Sequence, residues 1–319
     1  MFSLRLAMLF VLLVVETSSN QALDERISWK EWWSYEGPSG PTRWGGIEDS
    51  WKICTKGMYQ SPINILPEKL LFDPNLMRLN LDARKQIPGN LINTGHDLTF
   101  LLDDVMFGLF NISDGPLMYN YQVNEIKIHY GRDDERGSEH MVDGATFAAE
   151  IQFIAYNIDL YKNISEARIQ PYGTTILAVF AEIGLPESST FQTLVNYATR
   201  IRYKGQSIRI EALNIKDLLP RSNYYVTYEG SFTQPGCQET VTWIIPNKPI
   251  YISKANLISL RNLYQSSSDL PVFKLDNSRR SVMPLNNRVV KTNINYPGRG
   301  DLCSMSKETF YEVNPAMRV

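Results

Sequence analysis

Apolar and polar residues alternate through Ile126-Lys127-Ile128-His129-Tyr130. Strand side chains point to opposite faces with a period of two. Lys127 and His129 therefore share one face, and Ile126 and Ile128 the other. In Ile151-Gln152-Phe153-Ile154, Gln152 faces away from Ile151 and Phe153. A polar, glycine-containing connection separates the two runs, and the pattern predicts that they pair and bring Lys127, His129 and Gln152 together. Thr174 to Ile183 (T-T-I-L-A-V-F-A-E-I) is rich in apolar and β-favouring residues and predicts a central strand. Ser189-Thr190-Phe191-Gln192 has capping-box spacing ahead of Leu194, Tyr197 and Ile201, which predicts a helix. Leu257 to Tyr264 also carries apolar residues at helical spacing. The other elements read as short strands, and the sum is a strand-dominated α+β fold.

The first residues change the picture of where the chain works. Arg5 is followed by an unbroken apolar run from Leu6 to Val15, and then by the small residues Thr17-Ser18-Ser19. This is the layout of a secretory signal peptide over residues 1–20, too short to span a bilayer well. No later stretch reads as a membrane span, so a secreted, extracellular chain is expected. About 300 residues remain, enough for one large domain, placed at 28–295 and followed by a polar C-terminal tail at 296–319. Lysine and arginine number 32 against 34 acidic residues, a net charge of -2. No basic run points to nucleic acid, and no acidic tract points to disorder. Trp29, Trp32, Trp33 and Trp44 read as an aromatic-rich segment packed on a domain edge. Asn111-Ile112-Ser113 and Asn163-Ile164-Ser165 are N-glycosylation sequons.

The residues around the paired strands carry a resemblance. Tyr130-Gly131, Gly137-Ser138-Glu139-His140 and Ala148-Ala149-Glu150 frame them in the way that the zinc-binding core of the α-carbonic anhydrases is framed. Trp33-Ser34-Tyr35, Gln60-Ser61-Pro62-Ile63-Asn64-Ile65 and Asn93-Thr94-Gly95-His96 resemble other motifs of that family, as does the segment from Tyr228 to Ile245. The resemblance implies a single domain around a large twisted, mostly antiparallel sheet with short surface helices. It places Lys127 where the first zinc-ligating histidine would stand, His129 at the second and Gln152 at the third. It also places His96 at the proton-shuttle position, makes His140 a structural hydrogen-bonding residue, and pairs Thr233 with Glu139 by a hydrogen bond.

Catalytic zinc takes three neutral imidazoles and lowers the pKa of its bound water to about 7. An ammonium offers no lone pair and repels a dication, and an amide oxygen is a poor zinc ligand beside an imidazole. No zinc and no catalysis are therefore expected, with Glu139, Thr233 and His96 left as vestiges. The Lys127 ammonium is expected near the metal position, held by Gln152 and by His129. Phe232 and Gln234 are larger than the family's commoner Leu and Thr, and are expected to narrow the cavity floor.

The resemblance also implies a disulfide between Cys54 and Cys237. Cys303, in the tail, is left over. An odd cysteine in a secreted chain reads either as an intermolecular bridge or as an incidental free thiol. Within the family, the ligand substitutions together with Pro284-Leu285-Asn286-Asn287-Arg288 and Lys291-Thr292-Asn293-Ile294-Asn295 are similar to a secreted, non-catalytic subgroup, the carbonic anhydrase-related proteins ten and eleven. That subgroup implies neurexin, a neuronal cell-surface protein, as a partner. Two other readings stand beside it: an active hydratase with an unorthodox metal site of His129, His96 and a carboxylate, and an extracellular scaffold.

Overall fold

A computed structural model describes residues 32–103 and 108–295. The signal peptide expected at 1–20, Trp29, and the tail with Cys303 lie outside the described residues. In chain order the strands are β1 Asn64–Ile65, β2 Leu71–Phe72, β3 Leu79–Ala83, β4 Ile87–Asn93, β5 Leu98–Leu102, β6 Phe110–Asp114, β7 Tyr121–Tyr130 and β8 Met141–Val142. They continue as β9 Ala149–Asn157, β10 Thr174–Ile183, β11 Ser207–Leu213, β12 Tyr225–Gly230, β13 Val241–Pro246, β14 Ile250–Ile252 and β15 Lys291–Thr292. Among the described residues they build one 13-stranded sheet and a separate two-stranded pair of β1 with β8. The main path runs β11-β4-β5-β7-β9-β10-β13-β12-β15-β2. Pairing is antiparallel through its centre, with parallel contacts of β10 to β13 and β14 and of β15 to β2. The expected strand-dominated fold, with a large and mostly antiparallel sheet and short helices, is what forms.

The sheet centre is covered on both faces. On β7, Ile126, Ile128 and Tyr130 enter one apolar cluster, joined by Ile151, Phe153 and Ala155 of β9 and by Leu177 and Val179 of β10. The opposite face of β9 and β10 contributes Ile154, Ile176, Ala178 and Phe180 to a second cluster with Trp243 and Phe232. The period of two thus splits each strand between two cores, and every residue of β9 is buried. Lys127, His129 and Gln152 sit on the second face, in the centre of the sheet, and all three are buried.

The predicted strand Thr174–Ile183 is β10, with the bounds expected. The predicted helix after Pro186 spans Ser189–Ala198, but its cap is Ser188, one residue earlier than the sequence suggested. Ser188 Oγ accepts the Phe191 N–H, while the carboxylate of Asp217 accepts from Thr190 N and from both serine hydroxyls. The Ser188 N–H is taken by Tyr251 O at 2.8 Å, so no local capping box with Gln192 closes, and Asp217 satisfies a first-turn N–H from elsewhere in the chain. The second helix spans Lys254–Leu260 and is capped by Ser253, so it starts and ends before the apolar periodicity suggested. Its continuation is diverted because the Tyr264 N–H is taken by Arg202 O at 2.7 Å.

Candidate functional site

Register places the candidate residues. In β7 and β9, Lys127 is opposite Gln152 and His129 is opposite Glu150. In β5 and β7, Thr99 is opposite Lys127. The three positions expected to share a face do share it. Their partners differ from expectation.

Lys127 is not held by Gln152 or His129. Its ammonium donates to Asp97 Oδ2 at 3.2 Å and to Thr99 Oγ1 at 3.0 Å, and lies 3.6 Å from Glu125 Oε2. Asp97 is almost fully buried and is bound on all sides: Thr94 and Thr99 donate to Oδ1, and Gln234 Nε2 donates to Oδ2 at 2.5 Å. Burial drives both groups toward neutrality, but the mutual attraction and the hydroxyl donors win. Lys127 ends above its ordinary pKa, with burial offset by Asp97 and then Glu125, and Asp97 ends far below its own. Arg168 pairs with Glu125 at 3.1 Å, so two cations and two carboxylates share this part of the interior.

Gln152 is engaged elsewhere, and the reason is charge. Two carboxylates flank it. Its amide nitrogen donates to Glu139 Oε2 at 2.7 Å and to Glu150 Oε1 at 2.9 Å. Both Gln152 and Lys127 are donors, and each takes a different set of acceptors. This also displaces the expected bond between Thr233 and Glu139. Glu139 is filled by Gln152 and by the Arg280 N–H at 2.7 Å, and among the described residues Thr233 makes no hydrogen bond to it. Glu150 accepts from His140 Nδ1 at 3.0 Å, and His140 Nε2 lies 2.7 Å from Tyr228 Oη, so His140 is the structural residue that was expected.

His129 keeps one nitrogen free. Nδ1 faces the carbonyl of Ser278, which only accepts, so Nδ1 carries the proton. Nε2 is fully buried and has no hydrogen-bond partner among the described residues. Tyr35 packs edge-on against this ring at 6.3 Å, with its hydroxyl buried beside the Gln234 side chain.

The N-terminal aromatic arm closes over the site. Trp33 stacks on His96 with centroids 3.9 Å apart, and both Trp33 and Tyr35 lie edge-on to the buried Trp44. At the shuttle position, His96 is thus a packing residue. Burial pulls its pKa down to about 4. The unfolded chain therefore takes up this proton first as pH falls, and stability is lost between about pH 6.5 and 4. The expected difference between wild type and His96→Phe, which keeps a ring on Trp33, is about 2 kcal/mol across that window. Urea midpoints at pH 7 and pH 4.5 check it. Parallel acid losses in both proteins would contradict the assignment.

Gln234 reaches in to Asp97, as its size suggested. Phe232 instead joins the second core, with the Arg168 guanidinium 4.4 Å above its ring. Cys54 and Cys237 are bonded, as the resemblance implied. Beside them, Arg280 donates to Ser61 O, Cys54 O and Gln60 Oε1, and burial lowers its pKa to about 10. Asp97 and Arg280 were not singled out in the sequence. A lysine on a buried strand face demands a carboxylate nearby, and Asp97, two residues before Thr99 on the adjoining segment, was the available signal.

Two further readings can be placed. His129, His96 and a carboxylate are not gathered into a metal-holding group; no cluster of three or more His, Cys, Asp or Glu fit for a metal occurs among the described residues. No helix among them is long and apolar enough to cross a membrane. Of the sequons, Asn163 is exposed and caps the turn Ile164–Ala167 through its Oδ1. Asn111 lies within β6, between Asp82 and Gln122 on adjacent strands, with its Oδ1 buried.

Two comparisons with known proteins agree with this fold. The chain is 39% identical over 292 residues to the Caenorhabditis elegans protein named "Putative carbonic anhydrase-like protein 2", covering 86% of this chain and 85% of that one. Residues 39–294, which include every described strand and the site residues from Asp97 onward, match the family of the eukaryotic-type carbonic anhydrases, and the chain belongs to that family.

Proposed function

We propose that this protein is a secreted, catalytically inactive member of its family that acts as an extracellular binding protein. The observation that carries the reading is the buried pair of Lys127 with Asp97. It supports a cavity whose positive charge is supplied by a side chain. Zinc does not fit the donor set at the three ligand positions. Only the second position offers an imidazole, that of His129. The first position holds an ammonium. The third holds an amide whose nitrogen is committed to two carboxylates. Without three donors, no hydroxide nucleophile forms at neutral pH.

The partner we propose is the ectodomain of a neuronal cell-surface receptor such as neurexin, linked through a disulfide from Cys303. The resemblance to the non-catalytic subgroup and the left-over cysteine support this. The test is co-precipitation of the secreted chain with receptor ectodomains, read on non-reducing gels for wild type and Cys303→Ser. A higher-mass species lost in the variant is expected. Failure to co-precipitate any such ectodomain overturns the receptor reading, and an unchanged monomer band removes Cys303 from it.

Secretion carries its own check. The exposed Asn163 is the expected glycan acceptor, while Asn111 is constrained within a strand. Asn163→Gln should remove a glycosidase-sensitive gel shift that Asn111→Gln leaves in place. The reverse pattern would contradict the assignment.

A further inference from the structure

A concentrated basic and aromatic surface lies beside the turn that carries His96, where Gly95 packs against Lys204 and the Gln265 carbonyl. It is built from two segments, 200–206 and 262–274. The first contains Arg200, Arg202 and Lys204 and no acidic residue; the second contains Lys274 and a single acid, Asp269, whose carboxylate accepts from Ser268. The chain as a whole is slightly acidic, so this clustering is local. Several other surface cations on the described fold have carboxylates against them, as Arg209 has Asp103 and Glu211, and Lys254 has Asp134. Among the described residues, Arg200, Arg202 and Lys274 make no ion pair. Arg200 and Arg202 are exposed.

These cations are arranged on tyrosine rings. Lys274 Nζ lies 4.0 Å from the Tyr264 centroid, Arg202 lies 5.7 Å from the same ring, and Arg200 lies 5.5 Å from that of Tyr197. Tyr203 stacks on Tyr264 with centroids 5.2 Å apart. Ring faces hold the cationic heads in place without neutralising them.

The backbone beneath is firmly laced. Tyr264 N donates to Arg202 O, Lys204 N to Ser266 O at 3.0 Å, and Gln265 N to Phe273 O at 2.9 Å. The buried Asn93 amide then donates to Arg202 O at 3.0 Å and Tyr264 O at 3.2 Å, pinning both segments from below. The charges are therefore presented by an ordered surface, at low cost in lost freedom on binding.

We infer that this surface binds a sulfated polysaccharide of the glycosaminoglycan type. The guanidinium groups of Arg200 and Arg202 grip oxyanions with fixed donors, and Lys204 and Lys274 add charge. Rim charges of one sign steer such a polyanion and lose their effect with salt. The choice of an extracellular polyanion rests on the secreted reading above, but the binding itself does not.

The test uses the full mature chain, immobilised heparin and a salt gradient, with Arg200→Glu/Arg202→Glu as the patch variant. Lys69→Glu/Lys162→Glu, with the same change in net charge at exposed positions outside this surface, is the control. Wild type should be retained at physiological salt and should bind soluble heparin about tenfold more tightly than the patch variant. The control should match wild type. Arg200→Gln/Arg202→Gln, a milder change, should fall between, which separates lost contacts from a folding defect. Desulfated heparin should not compete. Flow-through of wild type at physiological salt, or equal losses in patch and control variants, would overturn the inference. So would binding to phosphatidylserine vesicles or to single-stranded RNA that matches or exceeds binding to heparin. None of these outcomes bears on secretion, which the glycan and medium assays read independently.

Discussion

Lys127→Met should cost about 3–5 kcal/mol of folding stability, since it leaves a buried carboxylate without its counter-charge. Asp97 keeps the hydroxyls of Thr94 and Thr99 and the amide of Gln234, which places the expected loss toward the lower end. Glu125 keeps Arg168. The second substitution Asp97→Asn removes the stranded charge at nearly constant volume, and most of the loss should be recovered in Lys127→Met/Asp97→Asn. Denaturant midpoints at unchanged slope read both effects. A single variant within about 1 kcal/mol of wild type, or a double variant no better than the single, would show that the pair does not matter in this way. The sign of the pH dependence follows from the shifts. Asp97 is depressed, so its contribution is present above about pH 4 and lost on acidification through its folded pKa. Lys127 is raised, so its contribution is present below about pH 10.4 and lost above its folded pKa.

Removing the disulfide should be the other large loss. Cys54 and Cys237 are 183 residues apart and both are buried, so the bridge closes a very long loop of the unfolded chain. Chain entropy for such a loop is worth up to about 4–5 kcal/mol, and Cys54→Ala/Cys237→Ala is expected to lose about 2–5 kcal/mol. The bridge also does local work. It packs with Tyr35, Trp44 and Trp51, and the carbonyls of Cys54 and Cys237 accept from Arg280 and Gln60. The aromatic arm that shields His129 should therefore loosen in the variant, and the fluorescence of Trp33 and Trp44 should become more accessible to an aqueous quencher. A variant that unfolds at the wild-type midpoint and is quenched no faster would contradict both parts.

How much of this was legible in the sequence depends on the distance over which each contact acts. The face shared by Lys127, His129 and Gln152 follows from a period of two within two runs, and it was readable without any partner. The 3.2 Å pair of Lys127 with Asp97 was not, because it depends on how β5 is registered against β7, across 30 positions of chain. Gln152 looked like the acceptor for Lys127 because its amide carries an acceptor oxygen on the face the two were expected to share. What decided otherwise was a second pair of carboxylates, Glu139 and Glu150, which draw the amide's donor end toward themselves. The same competition removed the Thr233 bond to Glu139. The fold itself, the disulfide and the structural role of His140 came through because the motifs that carry them are long and nearly intact. His96 lay between these cases. Its motif was plain, but its stacking on Trp33 needed the position of an arm some 60 residues earlier.

These contacts describe a cavity whose positive charge sits on a side chain and whose acceptors are already filled. Of Lys127, His129 and Gln152, only His129 brings an imidazole, and its Nε2 has no hydrogen-bond partner among the described residues. The decisive measurement is elemental analysis of the full secreted chain, purified without chelator and equilibrated with zinc, alongside Lys127→His/Gln152→His. Far less than one zinc per chain is predicted for wild type, with uptake rising toward one in the double variant as three imidazoles are restored. One tightly held zinc per wild-type chain, surviving dialysis, would contradict the account.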